Sequence, residues 1–507
     1  MNNKRLSISL LANIISTLVS LGVSFLLTPY LIITLGKEAY SFFPLANNFA
    51  GYMTIITMAL NSMASRYITI ALARGDSKKA HTYFSTVFFS NIIQSVALAV
   101  PMTAIVAFIN YLLEVPAGLI QDVRILFSLI FAGIIINLTF SVFGIATFAK
   151  ERMDWYALQN IGQNILKAVL YIGLFAIFSP SIICMGVVAV TMALFNGGMQ
   201  YLFTRQLMPE YKVKLHEFNK AAVWELIGSG IWNSINSLGS SLLQSMALLM
   251  ANIMVGAAAA GDLSIVQTLP NLMTTIICAV YGVLLPRIAN VYAKEDKWKI
   301  AETVIFSQKV LGIISSTPVI LIILFGRFFF QLWVPEENAA HLQILLILTI
   351  FPLLIHSSMW TVFGLNVMNN KLKKPALLFL IVGVINIVGT AIILKNTNQR
   401  LYIIPLVSGI LNVLYYMVYI PSYAAKEMGL PRKTFYPHII KTIAFALIAI
   451  CIGGPIVRCL SINNWIHFFF YGGVAGCVCV LIYILIVFDR QDKKNFFCKM
   501  FRMLVKK

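Results

Sequence analysis

The stretch LSISLLANIISTLVSLGVSFLLTPYLIITLG, residues 6–36, holds no Asp, Glu, Lys or Arg and decides which solvent this chain meets. It is longer than the roughly 20 apolar residues that cross a bilayer as a helix. It is also too long for the apolar core of a signal peptide, and no small-residue cleavage site closes it. Lys4 and Arg5 therefore flank a first spanning helix with its N-terminus in the cytoplasm. Charge-free runs recur at 39–65, 80–113, 226–261, 338–370 and 459–488. A backbone in hydrocarbon must satisfy its own hydrogen bonds, so such runs are helices; the ten-residue alternation of a barrel strand is not their pattern.

The 507 residues are 59% hydrophobic and 11% charged, against roughly 25% charged in soluble domains. The fold class expected is all-α integral membrane, with about 14 spans. Working outward from the first run, these are 8–34, 42–66, 83–109, 125–149, 158–178, 182–204, 226–255, 263–287, 303–325, 342–366, 375–394, 402–422, 438–458 and 465–488. The turns Ser179-Pro180, Val334-Pro335 and Gly429-Leu430-Pro431 separate several of them.

Charge orients this map. Of 38 Lys and Arg, six fall in external loops (Lys37, Arg124, Arg327, Lys395, Arg400, Arg458) and two within spans (Lys167, Lys309), leaving 30 inside. That asymmetry is the positive-inside rule, so the net +20 is topological and calls for no nucleic-acid partner. The basic residues after Asp489 alternate with Phe496, Phe497, Phe501 and Leu504, a pattern suited to a helix lying on anionic lipid.

The chain repeats itself at an offset of 220. Val142-Phe143-Gly144 matches Val362-Phe363-Gly364, Gly36 matches Gly256, Asn13 matches Asn233, Asp76 matches Asp296 and Lys79 matches Lys299. Six spans fill each period, so both halves start on the same side and form parallel repeats, an arrangement used by transporters. The expected domains are an N-lobe at 1–205, a cytoplasmic linker at 206–225, a C-lobe at 226–423, two further helices at 424–490 and an amphipathic tail at 491–507.

All 18 Asp and Glu lie in loops or near span ends, which argues against a buried carboxylate relay for protons, sodium or cationic drugs. Cations do reach the spans. Arg66 and Arg287 stand at the inner ends of spans 2 and 8, nearly equivalent in the repeat, while Lys167 and Lys309 lie deeper in spans 5 and 9. Charge inside a membrane is costly and faces a wet cavity, where it suits an anionic head group; Arg adds a bidentate fork. The competing reading makes Arg66 and Arg287 boundary markers and Lys309 a snorkelling side chain. Asn48, Asn233, Asn236 and Asn271 stand among small and hydroxyl residues in spans 2, 7 and 8. They read either as sugar-binding groups on a hydrated path or as interhelical hydrogen bonds. His356, alone deep in a span, reads as hydrogen-bonded packing, and the seven cysteines as buried thiols. No Walker loop, dinucleotide fingerprint or HExxH occurs, so neither catalytic residues, metal nor cofactor is expected.

The segments LGKEAYSFFPLANNF (35–49), ALNSMASRYI (59–68) and ARGDSKKA (73–80) resemble the polysaccharide transporter branch of the multidrug/oligosaccharidyl-lipid/polysaccharide (MOP) flippase superfamily, related to the MATE exporters. The six, six and two plan of helices resembles it over the whole chain. The resemblance implies a V-shaped, MATE-like architecture working by alternating access. It implies transfer of undecaprenyl-pyrophosphate-linked oligosaccharide from the inner to the outer leaflet of a bacterial cytoplasmic membrane, for O-antigen, capsule or exopolysaccharide assembly. Glycosyltransferases and a glycan polymerase would be its partners. Members of the branch line the cavity with positive charge, which Arg66, Arg287 and Lys167 could match here. A MATE-type cation-coupled multidrug exporter is the alternative; those proteins use acids in helix 1 or its neighbours, and span 1 here has none.

Overall fold

The computed structural model describes residues 3–150, 152–369, 371–397, 400–489 and 493; the expected amphipathic tail, Lys493 apart, lies outside them. Among the described residues fourteen helices are long and apolar enough to cross a membrane, and no strand occurs. They are α1 (Ile15–Leu35), α2 (Lys37–Leu72), α3 (Ser77–Ala107), α4 (Ala117–Ala149) and α5 (Met153–Ile177). Next come α6 (Ile182–Leu207), α7 (Lys220–Met254), α8 (Ala257–Tyr292), α9 (Lys297–Trp333) and α10 (Ala339–Met368). The last four are α11 (Lys373–Lys395), α12 (Leu401–Glu427), α13 (Pro437–Arg458) and α14 (Trp465–Val487).

Several helices outrun the apolar stretches that announce them. With 36 residues in α2 and 37 in α9, at about 1.5 Å of rise per residue, each is far longer than a hydrocarbon core of about 30 Å. Lipid solvation ends at the interface, but backbone hydrogen bonding does not. The true stops are local. Gly36 (φ 81°) and Gly256 (φ 130°) take positive φ just before α2 and α8, a conformation that costs glycine little. Asp76 and Asp296 cap α3 and α9, each accepting from a backbone N–H three residues on (Lys79 and Lys299) at 2.9 Å. These four residues are two of the pairs set by the 220 offset, so the repeat is a repeat of helix boundaries.

Two compact units form, Met1–Ser264 with Ala376–Ala391, and Ile265–Pro375 with Ile392–Lys507. In the first, α7 packs along α2, and small residues allow close approach of backbones. A Cβ at Gly230 would fall 1.8 Å from Ala59 O, and one at Gly239 would fall 2.8 Å from the backbone of Phe379 and Leu380 in α11. The segment 206–225 is docked, not loose. Met208 and Tyr211 are buried with Tyr83, Phe84 and Phe143. The backbone N–H groups of Lys214 and Asn219 donate to Ser85 Oγ and Thr86 Oγ1 at 3.2 and 3.1 Å.

In the second unit α13 and α14 pack on α9, burying Ile320, Phe445, Tyr483 and Phe488. Gly312 of α9 faces Tyr483 Oη, which shares a 2.9 Å hydrogen bond with Thr442 Oγ1. Four helices are irregular inside the membrane: α4 has a 3-10 turn at Ser141–Gly144, α7 turns at Gln244 and Ser245, α10 is interrupted at Phe351 and Pro352, and α12 is π-helical over Tyr415–Tyr419. The expectation of buried cysteines needs correction. Cys278, Cys451, Cys459 and Cys477 are exposed, Cys184 is half-buried, Cys479 is buried, and Cys498 lies outside the described residues. Hydrocarbon is as apolar as a protein core, so a thiol gains little by turning inward.

Candidate functional site

Helical periodicity gathers the candidates onto faces. On α2, Asn47, Gly51, Thr54 and Met58 are exposed at spacings of four, three and four, and the line continues through half-buried Ser62 to exposed Arg66. On α8, Asn271, Thr275, Cys278, Gly282 and Pro286 are exposed in the same rhythm, with Arg287 exposed beside the last. Residues so spaced share one side of a helix. The repeat offset places Asn271 at the site of Gly51, Cys278 at that of Met58, Gly282 at that of Ser62 and Pro286 at that of Arg66. An amide facing hydrocarbon would lose its hydrogen bonds at a cost of several kcal/mol. Each unit thus carries one uncovered, amide- and hydroxyl-bearing stripe that ends in an arginine.

The cations divide into free and committed. Arg66 and half-exposed Lys167 have neither hydrogen bond nor ion pair among the described residues. The Arg287 guanidinium lies 5.3 Å from the ring centroid of Phe306, a cation–π contact that leaves its N–H fork open. Lys309 is different. It is 2% exposed, and its Nζ donates to Asp489 Oδ2 at 2.6 Å, with Lys441 Nζ 3.8 Å from the other carboxylate oxygen. Lys309 neither snorkels nor lines an open path; it fastens the end of α14 to α9.

That pair makes a stability prediction. The hydrogen bond and charge of Lys309 hold the Asp489 carboxyl below the usual carboxylate range. A depressed folded-state value means the stabilisation is complete above the unfolded value of about 3.9 and is lost as pH falls through the folded one. At neutral pH Asp489→Asn should cost about 1–3 kcal/mol, less than the ~3–5 of a fully buried pair because Asp489 is 59% exposed. Thermal melts should show the loss and its recovery in the double variant Lys309→Met/Asp489→Asn.

Two of the four candidate amides are spent on helix contacts. Asn48 Nδ2 donates to Ser245 O at 3.2 Å, satisfying a carbonyl at the α7 turn. Asn233 Nδ2 reaches Ser62 Oγ at 3.5 Å. Asn236 Oδ1 is buried without a partner. Asn271 is exposed on the α8 stripe. Arg66, Lys167, Asn48, Asn233 and Asn236 belong to the first unit, and Arg287, Lys309 and Asn271 to the second.

Two networks escape sequence reasoning. Asn61 and Asn91 exchange amide hydrogen bonds at 3.0 and 3.1 Å, and Asn91 Nδ2 also donates to Ser141 Oγ at 2.9 Å. Gln159 and Gln200 both donate to Asn196 Oδ1, whose Nδ2 donates to Asn137 Oδ1 at 3.1 Å. Amides inside charge-free spans were the available signal. A second clamp lies at the Gly36 end of α2, where Lys37 Nζ meets Asp262 Oδ1 at 2.9 Å and Asn252 pairs with the Glu114 backbone through both N–H and O.

Known proteins share this fold. The polysaccharide biosynthesis protein family profile matches residues 9–292. EpsK of Bacillus subtilis (strain 168), an uncharacterized membrane protein, is 26% identical over 508 residues, covering 98% of each chain. An inward-facing multidrug resistance MATE family transporter of the MOP superfamily superposes with a TM-score of 0.64 at 15% identity, over 82% of this chain and 94% of its own. The lipid II flippase MurJ, in an inward closed conformation, gives 0.63 at 14% identity, over 93% of this chain and 97% of its own. A MOP superfamily transporter from Pyrococcus furiosus, whose binding pocket is described as having reversed polarity, gives 0.61 at 15% identity, over 83% and 95%. At such identities the structures establish the fold, and the profile, spanning more than half of the sequence, establishes the lineage: the chain belongs to the polysaccharide biosynthesis protein family.

Proposed function

We propose that this chain is a flippase that carries undecaprenyl-pyrophosphate-linked oligosaccharide from the inner to the outer leaflet of a bacterial cytoplasmic membrane, for O-antigen, capsule or exopolysaccharide assembly. One observation carries the reading: among the described residues Arg66, Lys167 and Arg287 reach into or border the spans without acid partners, while every acid inside a span lies within five residues of its end. Cations of this kind attract an anion and repel the cationic drugs of an exporter. Each stripe by itself carries hydroxyl and amide groups of the kind that bond sugars, and the lipid chain would stay in the bilayer. The lobes at 1–205 and 226–423 would alternate access, with both termini cytoplasmic, as the basic excess requires. MurJ is a lipid II flippase and the matching family is one of polysaccharide biosynthesis, and both support cargo of this class.

The test is reconstitution. Purified protein in liposomes carrying a fluorescent undecaprenyl-pyrophosphate oligosaccharide should move the label between leaflets, read by its accessibility to a membrane-impermeant quencher, well above protein-free vesicles. Absence of glycan-lipid movement, together with gradient-driven accumulation of a lipophilic drug cation, would replace this reading with the multidrug one.

A further inference from the structure

Directional alternating access needs an energy source, and with every acid inside a span near its end the usual proton carrier is missing from the span interiors. Among side chains whose unperturbed titration lies near neutral pH, His356 is the one lying deep in a span. Its surroundings in the second unit are specific. Trp360 Nε1–H donates to His356 Nε2 at 2.6 Å, so in this conformation the ring is neutral and carries its proton on Nδ1. The Tyr416 ring packs against it at a centroid distance of 4.1 Å. Tyr281 of α8 contacts Trp360 edge-on at 6.0 Å, and Tyr415 contacts Tyr416 at 4.9 Å. These are the titratable neighbours. The charged residues on helices packed against this half of α10 are these: Lys309 pairs with Asp489, Glu427 with Lys371, Lys441 approaches Asp489, Arg287 of α8 lies over the Phe306 ring with its N–H fork open, and Lys297, Lys299, Glu302, Arg327, Lys426 and Arg458 lie toward helix ends.

The ring also sits between two irregular segments. His356 N–H donates to Pro352 O at 2.9 Å, immediately after the α10 interruption. Gly409 of α12 lies so close to that interruption that an added Cβ would meet the Phe351 ring at 2.5 Å. Tyr416 belongs to the π-helical stretch Tyr415–Tyr419. Proline interruptions and π-helical turns are where helices bend and change register.

We infer that His356 is a proton-binding group that couples transport to the proton gradient. A proton from the side of higher proton activity adds to the Nε2 lone pair, giving the imidazolium. Two N–H donors, on Nε2 and on Trp360 Nε1, then point at each other, and the hydrogen bond is lost. The imidazolium needs water or an acceptor, which the present packing against Tyr416 does not provide. The α10 interruption and the α12 π-turn let the ring leave, and the proton departs to water on the other side before the Trp360 bond re-forms. This rests on the transport reading above, but its first test does not.

That test is the tryptophan fluorescence of the whole purified protein between pH 8 and pH 5. A change with one titration should appear in the native protein, vanish in Trp360→Phe, and vanish in His356→Gln, whose amide oxygen still accepts from Trp360 but takes no proton. The second test is glycan-lipid movement in liposomes with an imposed pH gradient. The gradient should speed the native protein, and His356→Gln should lose that acceleration while keeping its gradient-free rate. An unaltered titration in His356→Gln, no titration in the native protein, or equal acceleration of both proteins overturns the inference. Failure of the native protein to move glycan-lipid under any condition while the titration stands would instead count against the flippase reading.

Discussion

Replacing Arg66, Lys167 and Arg287 together by Ala should abolish glycan export while leaving the protein's abundance in the membrane unchanged. The two halves of that outcome have separate causes. Charge-assisted hydrogen bonds are worth about 1.5–3 kcal/mol each, and about 1.4 kcal/mol is a tenfold change in occupancy. Loss of even two such contacts to a pyrophosphate lowers binding on the order of 100-fold. Stability should scarcely move, because among the described residues Arg66 and Lys167 have no partner to strand and Arg287 rests on one ring; substitutions away from buried networks stay within roughly ±0.5 kcal/mol. Lys309→Ala is the instructive contrast, since it strands Asp489 and removes a buried stem, so its export defect should follow protein loss. Arg66→Lys and Arg287→Lys keep the charge but not the fork, and should retain intermediate export. The readout is surface glycan per unit of membrane protein. Undiminished export by the triple variant at equal abundance removes the cationic-path reading.

What the sequence discloses here is what the bilayer and the repeat dictate. Charge-free runs can only be spans, so their number and order are readable before any packing is known. The offset of 220 reads through to geometry: Asp76 and Asp296 make the same cap, and Gly36 and Gly256 the same positive-φ entry. Ends are less legible, because α2 and α9 continue as helices through residues that are no longer apolar. Partnerships are hidden altogether. Nothing local tells Lys309 that Asp489, 180 residues on, will neutralise it, or that Asn48 will satisfy the carbonyl of Ser245. An amide in a span looks the same whether it lines water or bonds a neighbouring helix, and only what stands opposite it decides. Exposed Asn47 and clasped Asn61 lie about four turns apart on nearly the same side of α2, and the difference is that Asn91 of α3 meets Asn61. The segment 206–225 reads as a linker because it is polar, yet Met208 and Tyr211 anchor it in a core.

Gly230→Leu should prevent accumulation of folded protein, and the reason lies in what stands opposite. A Cβ there would come within 1.8 Å of Ala59 O and 2.7 Å of Ala59 C, both backbone atoms of α2. A side chain can rotate away from an intruder, but a helix backbone moves only as a whole. Overpacking a close contact costs about 1–3 kcal/mol, sometimes more, and this contact runs through one of the longest helix pairings in the first unit. Separating α2 from α7 also opens the Tyr67–Ser229 hydrogen bond at 2.8 Å and the Asn48–Ser245 bond at 3.2 Å. Gly228, two residues earlier on α7, has nothing within 4 Å of a Cβ, so Gly228→Ala should fold at least as stably as the native protein and controls for the gain in helix propensity. Gly230→Ala is the informative middle case. It adds one methyl, enough to push the helices apart without a large side chain to bury. If it folds, a disulfide between Ser62→Cys and Asn233→Cys, whose native side chains approach to 3.5 Å, should form much more slowly than in the Gly230 background. Export should change with it, because α2 and α7 belong to the two lobes that the transport cycle is proposed to move. Native cross-linking in a well-folded Gly230→Ala protein would mean that α2 and α7 do not meet here as closely as the glycine implies.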